Sequence, residues 1–287
     1  MSKLVKSKAL DILAVALVFF IFQLFLFGKS PFAEYNLYSR FIARLQTSDP
    51  FWTTFWFSSE LVGEVGLALR FVGASFFLVF GWVLFRKKEF AFSYLRKAVL
   101  LEGAYYLFNL PFIVSLFARP NTSLVNMEAA LSYTLQIILV TPAFCKLYTK
   151  LKKPTLDAAQ LFKWGAIAII GFTFALWAKH FLLNLYALPI DFTNPTLLLG
   201  FLNSALTLLV AGLILIVSFL PAIRSQKLSF NSKAVGAAFL LIGVYFAIYV
   251  LISLLNQRFM NFLVLTELWA IAMLILGVGF LVNNQSE

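Results

Sequence analysis

Eight long apolar runs constrain this chain more than any other feature of its sequence. A helix that crosses about 30 Å of hydrocarbon needs about 20 predominantly apolar residues, and eight runs meet that requirement. They cover residues 9–27, 61–85, 97–118, 128–148, 162–186, 196–220, 234–255 and 262–282. The pattern predicts an all-α fold: a polytopic transmembrane helical bundle of about eight spans, with residues 1–287 as a single integral membrane domain.

The composition excludes the main classes of soluble protein. Hydrophobic residues make up 62% of the chain and charged residues 12%, whereas soluble domains average about 45–50% apolar and about 25% charged residues. Intrinsic disorder, a disulfide-stabilised miniprotein and an ordinary soluble enzyme are therefore excluded. The single Cys and single His exclude an internal disulfide, a Cys/His zinc site and a two-histidine metal or haem site, so we predict no cofactor.

The basic residues are placed as orientation signals rather than as a nucleic-acid surface. The formal net charge is +11, and most of the 23 Lys and Arg lie in short loops between apolar runs, where they face anionic lipid. With the N-terminus inside, 16 of them fall on the cytoplasmic side and five outside. We predict a multi-pass protein of a cell membrane with both termini cytoplasmic, with membrane lipids as partners and no nucleic-acid partner.

The N-terminal region predicts a span followed by an interfacial helix. The run at 9–27 is longer than the apolar part of a usual secretory signal and is followed by no small-residue cleavage pattern, so we interpret it as a permanent span. Residues 31–46 place apolar side chains at helical spacing opposite charged ones. This pattern is typical of an amphipathic helix in the outer interface, either a collar that anchors the surface or a lid over an outward-facing cavity.

Capping residues and prolines refine the helix boundaries. Asp49 precedes Pro50, the arrangement expected where a helix begins, and Ser232 is placed to cap the seventh run. Pro111 and Pro142 lie inside the third and fourth runs, where each is expected to kink its helix.

Ionisable side chains inside apolar runs are the strongest evidence for a site, because each is energetically costly in lipid unless it is paired with an opposite charge or hydrated. Arg70 lies five residues past an outer span start near residue 65, and Glu267 lies five residues past the outer start of its run, so each is about 8 Å deep at 1.5 Å per residue. Equal depth and opposite charge predict an Arg70–Glu267 ion pair. Glu102 is placed about 8 Å above the inner boundary, where Lys97 or Lys146 can reach it.

Polar residues from several runs are predicted to gather in the extracytoplasmic half of the bundle. The candidate substrate-binding residues are Glu60, Glu64, Arg70, Asn109, His180, Asn203 and Glu267. The alternative is that these groups only fix helix register through a buried ion pair and hydrogen bonds. We predict no catalytic residues, because Cys145 and His180, which would have to form a nucleophile–base pair, lie at opposite ends of their runs and more than about 20 Å apart. We also predict no metal site, because nothing in the spacing of Glu60, Glu64 and His180 requires one.

The function that these features favour is transport. We predict a carrier or flippase-like protein, or a subunit of one, that engages an amphipathic or anionic substrate in the extracytoplasmic half. Its expected partners are a lipid or lipid-linked substrate and a membrane-protein partner. Two alternatives stay open: a membrane-embedded enzyme acting on a lipid-linked substrate, and a structural membrane subunit of a larger complex. Between a carrier and an enzyme, the enzyme is the less favoured.

Overall fold

A computed structural model describes residues 42–43, 45, 49–87, 91–118, 124–151, 158–186, 195–225, 230–255 and 260–284. Within these ranges the chain is almost entirely helical and contains no strand. The seven long helices are α1 (Pro50–Lys87), α2 (Phe92–Ala118), α3 (Leu124–Leu151), α4 (Ala158–Tyr186), α5 (Pro195–Ser225), α6 (Ser232–Leu255) and α7 (Met260–Asn284). Each of the last seven apolar runs lies inside one of these helices, which confirms the all-α prediction for the part of the chain described.

The first run and most of the predicted interfacial helix lie outside the described residues. Of the segment 31–46, only Ile42, Ala43 and Leu45 are described, and all three are helical. The span at 9–27, the collar or lid, and the positions of both termini therefore stay predictions.

Three of the described helices are long and apolar enough to cross a membrane. The qualifying segments are Pro50–Arg86, Phe92–Ser115 and Ser232–Leu251, and shorter apolar stretches occupy Lys163–Ala178, Ala205–Leu220 and Leu265–Leu281. The surface of the bundle is itself apolar: Ile138, Leu206 and Val217 are among its large exposed side chains, each more than half exposed. Such a surface is typical of a helix bundle that is solvated by lipid.

The seven helices that the structure describes close into a ring. Each packs mainly against two neighbours, in the order α1, α2, α3, α4, α5, α7, α6 and back to α1. The last two helices thus exchange places relative to chain order, so that α6 lies between α1 and α7. Aromatic side chains pack inside the ring: the Phe172 ring centroid lies 4.5 Å from that of Trp269, and Trp269 Nε1 donates a hydrogen bond to Thr173 Oγ1 at 2.9 Å.

Glycines let α1 approach its two neighbours closely. A Cβ built on Gly236 of α6 would lie 2.6 Å from the backbone nitrogen of Phe85, and one on Gly81 of α1 would lie 2.7 Å from the backbone nitrogen of Leu240. On the α2 side, a Cβ on Gly66 would lie 3.0 Å from Phe108 Cβ. These contacts set the register of α1 against α2 and α6, and that register positions the candidate site.

Two helix starts show how capping works in this chain. Asp49 Oδ1 accepts hydrogen bonds from the backbone nitrogens of Phe51 and Trp52 at 2.8 and 3.3 Å, which confirms the predicted cap of α1. At α6 the predicted cap is wrong by one residue: Asn231, not Ser232, supplies the oxygen. Its Oδ1 accepts from the backbone nitrogens two and three residues on, at 3.1 and 3.2 Å. The Asn231 backbone nitrogen also donates to the carbonyl of Gly279 at 2.9 Å, so the cap is held against α7.

Candidate functional site

A fully buried ion pair between α1 and α2 is the centre of the candidate site. The Arg70 side chain is 2% exposed and that of Glu102 1%. Arg70 Nε donates to Glu102 Oε1 and Oε2, each at 3.0 Å, and Arg70 Nη2 also donates to Oε1. This fork-like geometry brings two guanidinium nitrogens onto one carboxylate, the arrangement that makes Arg–carboxylate pairs strong and directional. Burial of both charges is tolerable here because they neutralise each other.

Aromatic rings surround the Arg70 guanidinium. Its central carbon lies 3.7 Å from the centroid of Tyr105, 4.6 Å from Tyr249 and 4.8 Å from Phe246. The Tyr106 ring is further away at 5.7 Å. We call these four side chains the Arg70 cage. Ring faces are electron-rich and attract a cation, so the cage adds to the stabilisation that Glu102 provides.

The tyrosine hydroxyls extend the polar network from the ion pair to α6. Tyr106 Oη accepts a long hydrogen bond from Arg70 Nη2 at 3.4 Å. Tyr105 Oη and Tyr249 Oη lie 3.3 Å apart and share a hydrogen bond between α2 and α6. The polar groups of three helices are therefore coupled at one level of the bundle.

A small polar void adjoins this network. It has a volume of about 10 Å³, close to the space that the centre of one water molecule requires. Five helices contribute to its lining, which consists of Arg70, Gln136, Phe172, Leu176, Tyr245, Tyr249, Leu265 and Thr266. We call this space the polar void. It can accept a single hydrogen-bonding group, such as a water, a hydroxyl or one oxygen of an anion.

A larger apolar cavity lies on the other side of Phe172, which lines both spaces. It has a volume of about 90 Å³ and receives side chains from all seven helices, so it occupies the middle of the ring. We call it the central cavity. Its lining includes Phe77, Phe219, Phe246 and Trp269, and nearly half of its lining residues are aromatic.

The structure corrects the predicted partner of Arg70. Its carboxylate is Glu102, whereas Glu267 lies half-buried on α7. The physical reason is the order of the ring: α1 packs against α2 and α6, and α6 separates it from α7. The partner of Glu102 is likewise Arg70 rather than Lys97 or Lys146. Equal depth along two helices is necessary for a contact but does not make those helices neighbours.

Helix α1 is longer than the span from which the depth of Arg70 was counted. It begins at Pro50, well before residue 65, and its additional N-terminal turns are aromatic-rich, so Arg70 lies near the middle of this helix. Helix α2 likewise begins at Phe92, before the apolar run that contains Glu102. The depths of both residues in a membrane stay predictions.

The other predicted site residues fall into two groups. Glu64 is buried on α1, and Asn109 on α2 donates from Nδ2 to the Tyr105 carbonyl at 2.7 Å. The first group, whose side chains the structure describes, consists of Glu64, Asn109 and Glu267. The side chains of Glu60, His180 and Asn203 lie outside those that the structure describes, so the predicted roles of these three stay predictions.

No group of three or more His, Cys, Asp or Glu able to hold a metal ion occurs among the described residues. Cys145 is exposed on α3. The polar void is lined by an arginine, tyrosines, an amide and a hydroxyl. This lining suits recognition of an oxygen-rich polar group by hydrogen bonds rather than coordination of a cation.

The tyrosines and Gln136 are functional candidates that the sequence reasoning missed. A signal was present: Tyr106 follows Glu102 by four residues, which places both on one face of α2, and Tyr245 and Tyr249 repeat this spacing on α6. The sequence reasoning did not single out these tyrosines, because a hydroxyl in an apolar run is far less conspicuous than a charge.

No family model, curated protein or solved structure matches this chain.

Proposed function

We propose that this chain is an integral membrane protein of about eight spans with both termini cytoplasmic, and that it acts as a carrier or flippase-like protein, or as a subunit of one. Its substrate is an amphipathic or anionic molecule. The observation that carries the proposal is the buried Arg70–Glu102 pair, which lies next to the polar void inside a bundle with an apolar surface.

Helix α1 supports the membrane assignment through its two aromatic ends. Phe51, Trp52 and Phe55 are in mutual contact at its start. Near its other end Trp82 is 52% exposed, with the Arg86 guanidinium carbon 4.9 Å from the ring centroid. Thirty residues separate Trp52 from Trp82, about 45 Å of helix. This distance matches a bilayer with its headgroup regions, where aromatic belts are found.

From this frame we infer that the ion pair lies close to the bilayer midplane. Arg70 lies three residues beyond the midpoint between Trp52 and Trp82, about 5 Å along the helix. An ionisable pair at that depth is costly and, in membrane proteins, marks a pathway or binding site by default. The proposal therefore moves the substrate site from the extracytoplasmic half, where the sequence placed it, to the middle of the bundle.

The lining of the polar void favours binding over chemistry. An enzyme of the general acid–base type needs a group of suitable pKa that faces the void and is available to exchange a proton. Among the residues that line the polar void, the only formally charged group is Arg70, and its guanidinium is engaged by Glu102. The remaining polar groups are hydroxyls and an amide, which orient a polar group without transferring a proton readily.

Lipid translocation in vesicles tests the proposal. The full chain is reconstituted in phosphatidylcholine vesicles containing phosphatidylglycerol, with a trace of phosphatidylglycerol carrying a nitrobenzoxadiazole fluorophore on one chain. Dithionite destroys only the fluorophores in the outer leaflet. Without translocation about half of the signal is lost, and with a flippase-like activity nearly all of it is lost.

The double variant Arg70→Met with Glu102→Leu is the informative comparison. Replacing a buried ion pair by apolar residues of similar size is often neutral for stability, so this variant should assemble while its signal loss returns to about half. Arg86→Gln, at the end of α1, is the matched control and should behave like the original chain. The assay is repeated with phosphatidylcholine that carries the same fluorophore. If the original chain leaves half of the signal intact with either labelled lipid, the carrier proposal is wrong and a structural role is favoured.

A further inference from the structure

The central cavity has the properties of a binding site for hydrocarbon. Its volume is about 90 Å³ and almost none of the lining is polar. Water gains too few hydrogen bonds in such a space, so apolar cavities of this kind stay dry and bind apolar molecules; an engineered cavity of about 150 Å³ binds benzene. At 90 Å³ the space suits the end of one aliphatic chain rather than a whole lipid.

The cavity is also elongated along the bundle axis. On α6 its lining runs from Val235 to Phe246, and on α7 from Trp269 to Phe280. Eleven residues correspond to about 16 Å of helix in each case. A narrow, long and carbon-lined space favours a linear chain over a compact apolar ligand.

We propose that the central cavity binds the terminal part of a single aliphatic chain, whose polar head reaches the polar void beside Arg70. The ligand class is a single-chain amphiphile with an oxygen-rich head, of which a fatty acid is the simplest example. The inference deepens the proposed function and rests on it for the role of the head, whereas the chain site itself rests on the central cavity alone.

Phe172 separates the two parts of this site. It lines both spaces, and its ring centroid lies 4.5 Å from that of Trp269 and 6.1 Å from that of Tyr245. The neighbouring Thr173 is held by the Trp269 indole at 2.9 Å. In the proposed complex, the Phe172 ring turns aside, so that one molecule occupies both the polar void and the central cavity.

In the proposed complex, the aliphatic chain enters the cavity between α3 and α4. Most of the lining is buried, but Phe144 on α3, Gly165 and Ile169 on α4, and Phe239 on α6 are only half-buried, and Phe239 is covered by the Phe77 and Phe80 rings of α1. The outer faces of α3 and α4 carry exposed Ile138 and Ile167. Pro142 lies in α3 two residues before Phe144, and a proline removes one backbone hydrogen bond from its helix.

Quenching of tryptophan fluorescence by a brominated fatty acid tests the inference. The purified full chain in detergent is titrated with stearic acid brominated near its methyl end, because bromine quenches an indole only at short range. We expect saturable quenching that is reversed by unbrominated stearic acid. Trp269→Phe should remove the saturable component, since Trp269 is the tryptophan in the cavity lining.

Two glycines provide matched variants. A Cβ on Gly165, which lines the cavity, or on Gly103, which does not, meets no atom within 4 Å. Gly165→Leu should weaken stearic acid binding at least about tenfold, equivalent to about 1.4 kcal/mol, because it fills part of the cavity. Gly103→Leu should leave binding unchanged. Ala168→Phe is a second cavity-filling variant, and the rise in unfolding temperature that stearic acid causes is a second readout.

The outcomes separate this inference from the proposed function. Quenching that does not saturate, or that is equal in Gly165→Leu, Ala168→Phe and the original chain, overturns the chain site even if lipid translocation is observed. Saturable quenching through Trp269 in a protein that translocates no lipid supports the chain site and overturns only the carrier role.

Discussion

Arg70 illustrates what a single buried charge demands of its surroundings. A guanidinium removed from water loses several kcal/mol of hydration, which only a well-placed counter-charge and further polar contacts can offset. Glu102 supplies the counter-charge, Tyr106 accepts one N–H, and the Tyr105 ring covers one face of the guanidinium. Phe246 and Tyr249 of α6 also contact the guanidinium. The five contacting groups come from two helices, so the residue links its own helix α1 to α2 and α6.

Glu102→Gln tests this linkage at the residue scale. Removal of one partner leaves the other charge buried without compensation, which costs about 3–5 kcal/mol. We expect a large fall in the unfolding temperature of the detergent-solubilised protein, measured by circular dichroism. The predicted alternative partner provides the control: Glu267→Gln should have a clearly smaller effect. A larger loss for Glu267→Gln than for Glu102→Gln would mean that the Arg70 pairing described above is wrong.

At the scale of elements, the seam between α1 and α6 depends on glycine. In lipid there is little hydrophobic driving force between helices, so association depends on close van der Waals packing at small residues. Gly81 and Gly236 allow the two backbones to approach directly, and Gly243 receives the Leu78 side chain. The same seam brings Phe246 and Tyr249 onto the Arg70 guanidinium, so its geometry also determines the cage.

Gly236→Ala is expected to separate these helices. Its new Cβ would lie 2.6 Å from the Phe85 backbone nitrogen, and neither atom can move without shifting a helix. Overpacking of this kind costs about 1–3 kcal/mol, to be measured as a lower unfolding temperature together with reduced lipid translocation. Gly103→Ala meets nothing within 4 Å and should be neutral or stabilising, because alanine favours a helix by up to about 1 kcal/mol. Equal stability of the two variants would contradict a tight seam.

At the scale of the whole molecule, closure of the ring creates the space in which a ligand can bind. Seven helices around one centre leave room that side chains fill incompletely, and the aromatic residues of the interior divide that room into the polar void and the central cavity. The exchange of α6 and α7 in the ring order matters for the same reason. It places the tyrosines of α6, rather than Glu267 of α7, next to α1.

The proposed orientation in the membrane is testable with single cysteines. The exposed Cys145 is first replaced by serine, and one cysteine is then introduced at Lys88 or at Arg258. A membrane-impermeant maleimide added to intact cells should label Arg258→Cys, whereas Lys88→Cys should react only after the membrane is opened. The reason is the excess of Lys and Arg on the cytoplasmic side. The reverse pattern would invert the proposed topology, and labelling of both from one side would exclude the proposed number of spans.

The helices themselves were predictable because their cause is local. A run of about 20 apolar residues in lipid must satisfy its own backbone hydrogen bonds, and a helix does so within the segment. The start of α1 at Asp49 and Pro50 was predictable for the same reason. The start of α6 was predictable only to within one residue, because two capping side chains, Asn231 and Ser232, are adjacent there. Neither feature depends on which helices become neighbours.

Only the tertiary structure decided which carboxylate meets Arg70 and where the interior spaces lie. Soluble helices reveal their inner face by an apolar stripe, but helices that are apolar on every side carry no such signal, so depth can be estimated while rotation and neighbours cannot. The ring order places Glu102 and four tyrosines around α1 and leaves Glu267 beyond α6. The sequence alone therefore determined that charges would be buried in the bundle, and packing between helices selected their partners.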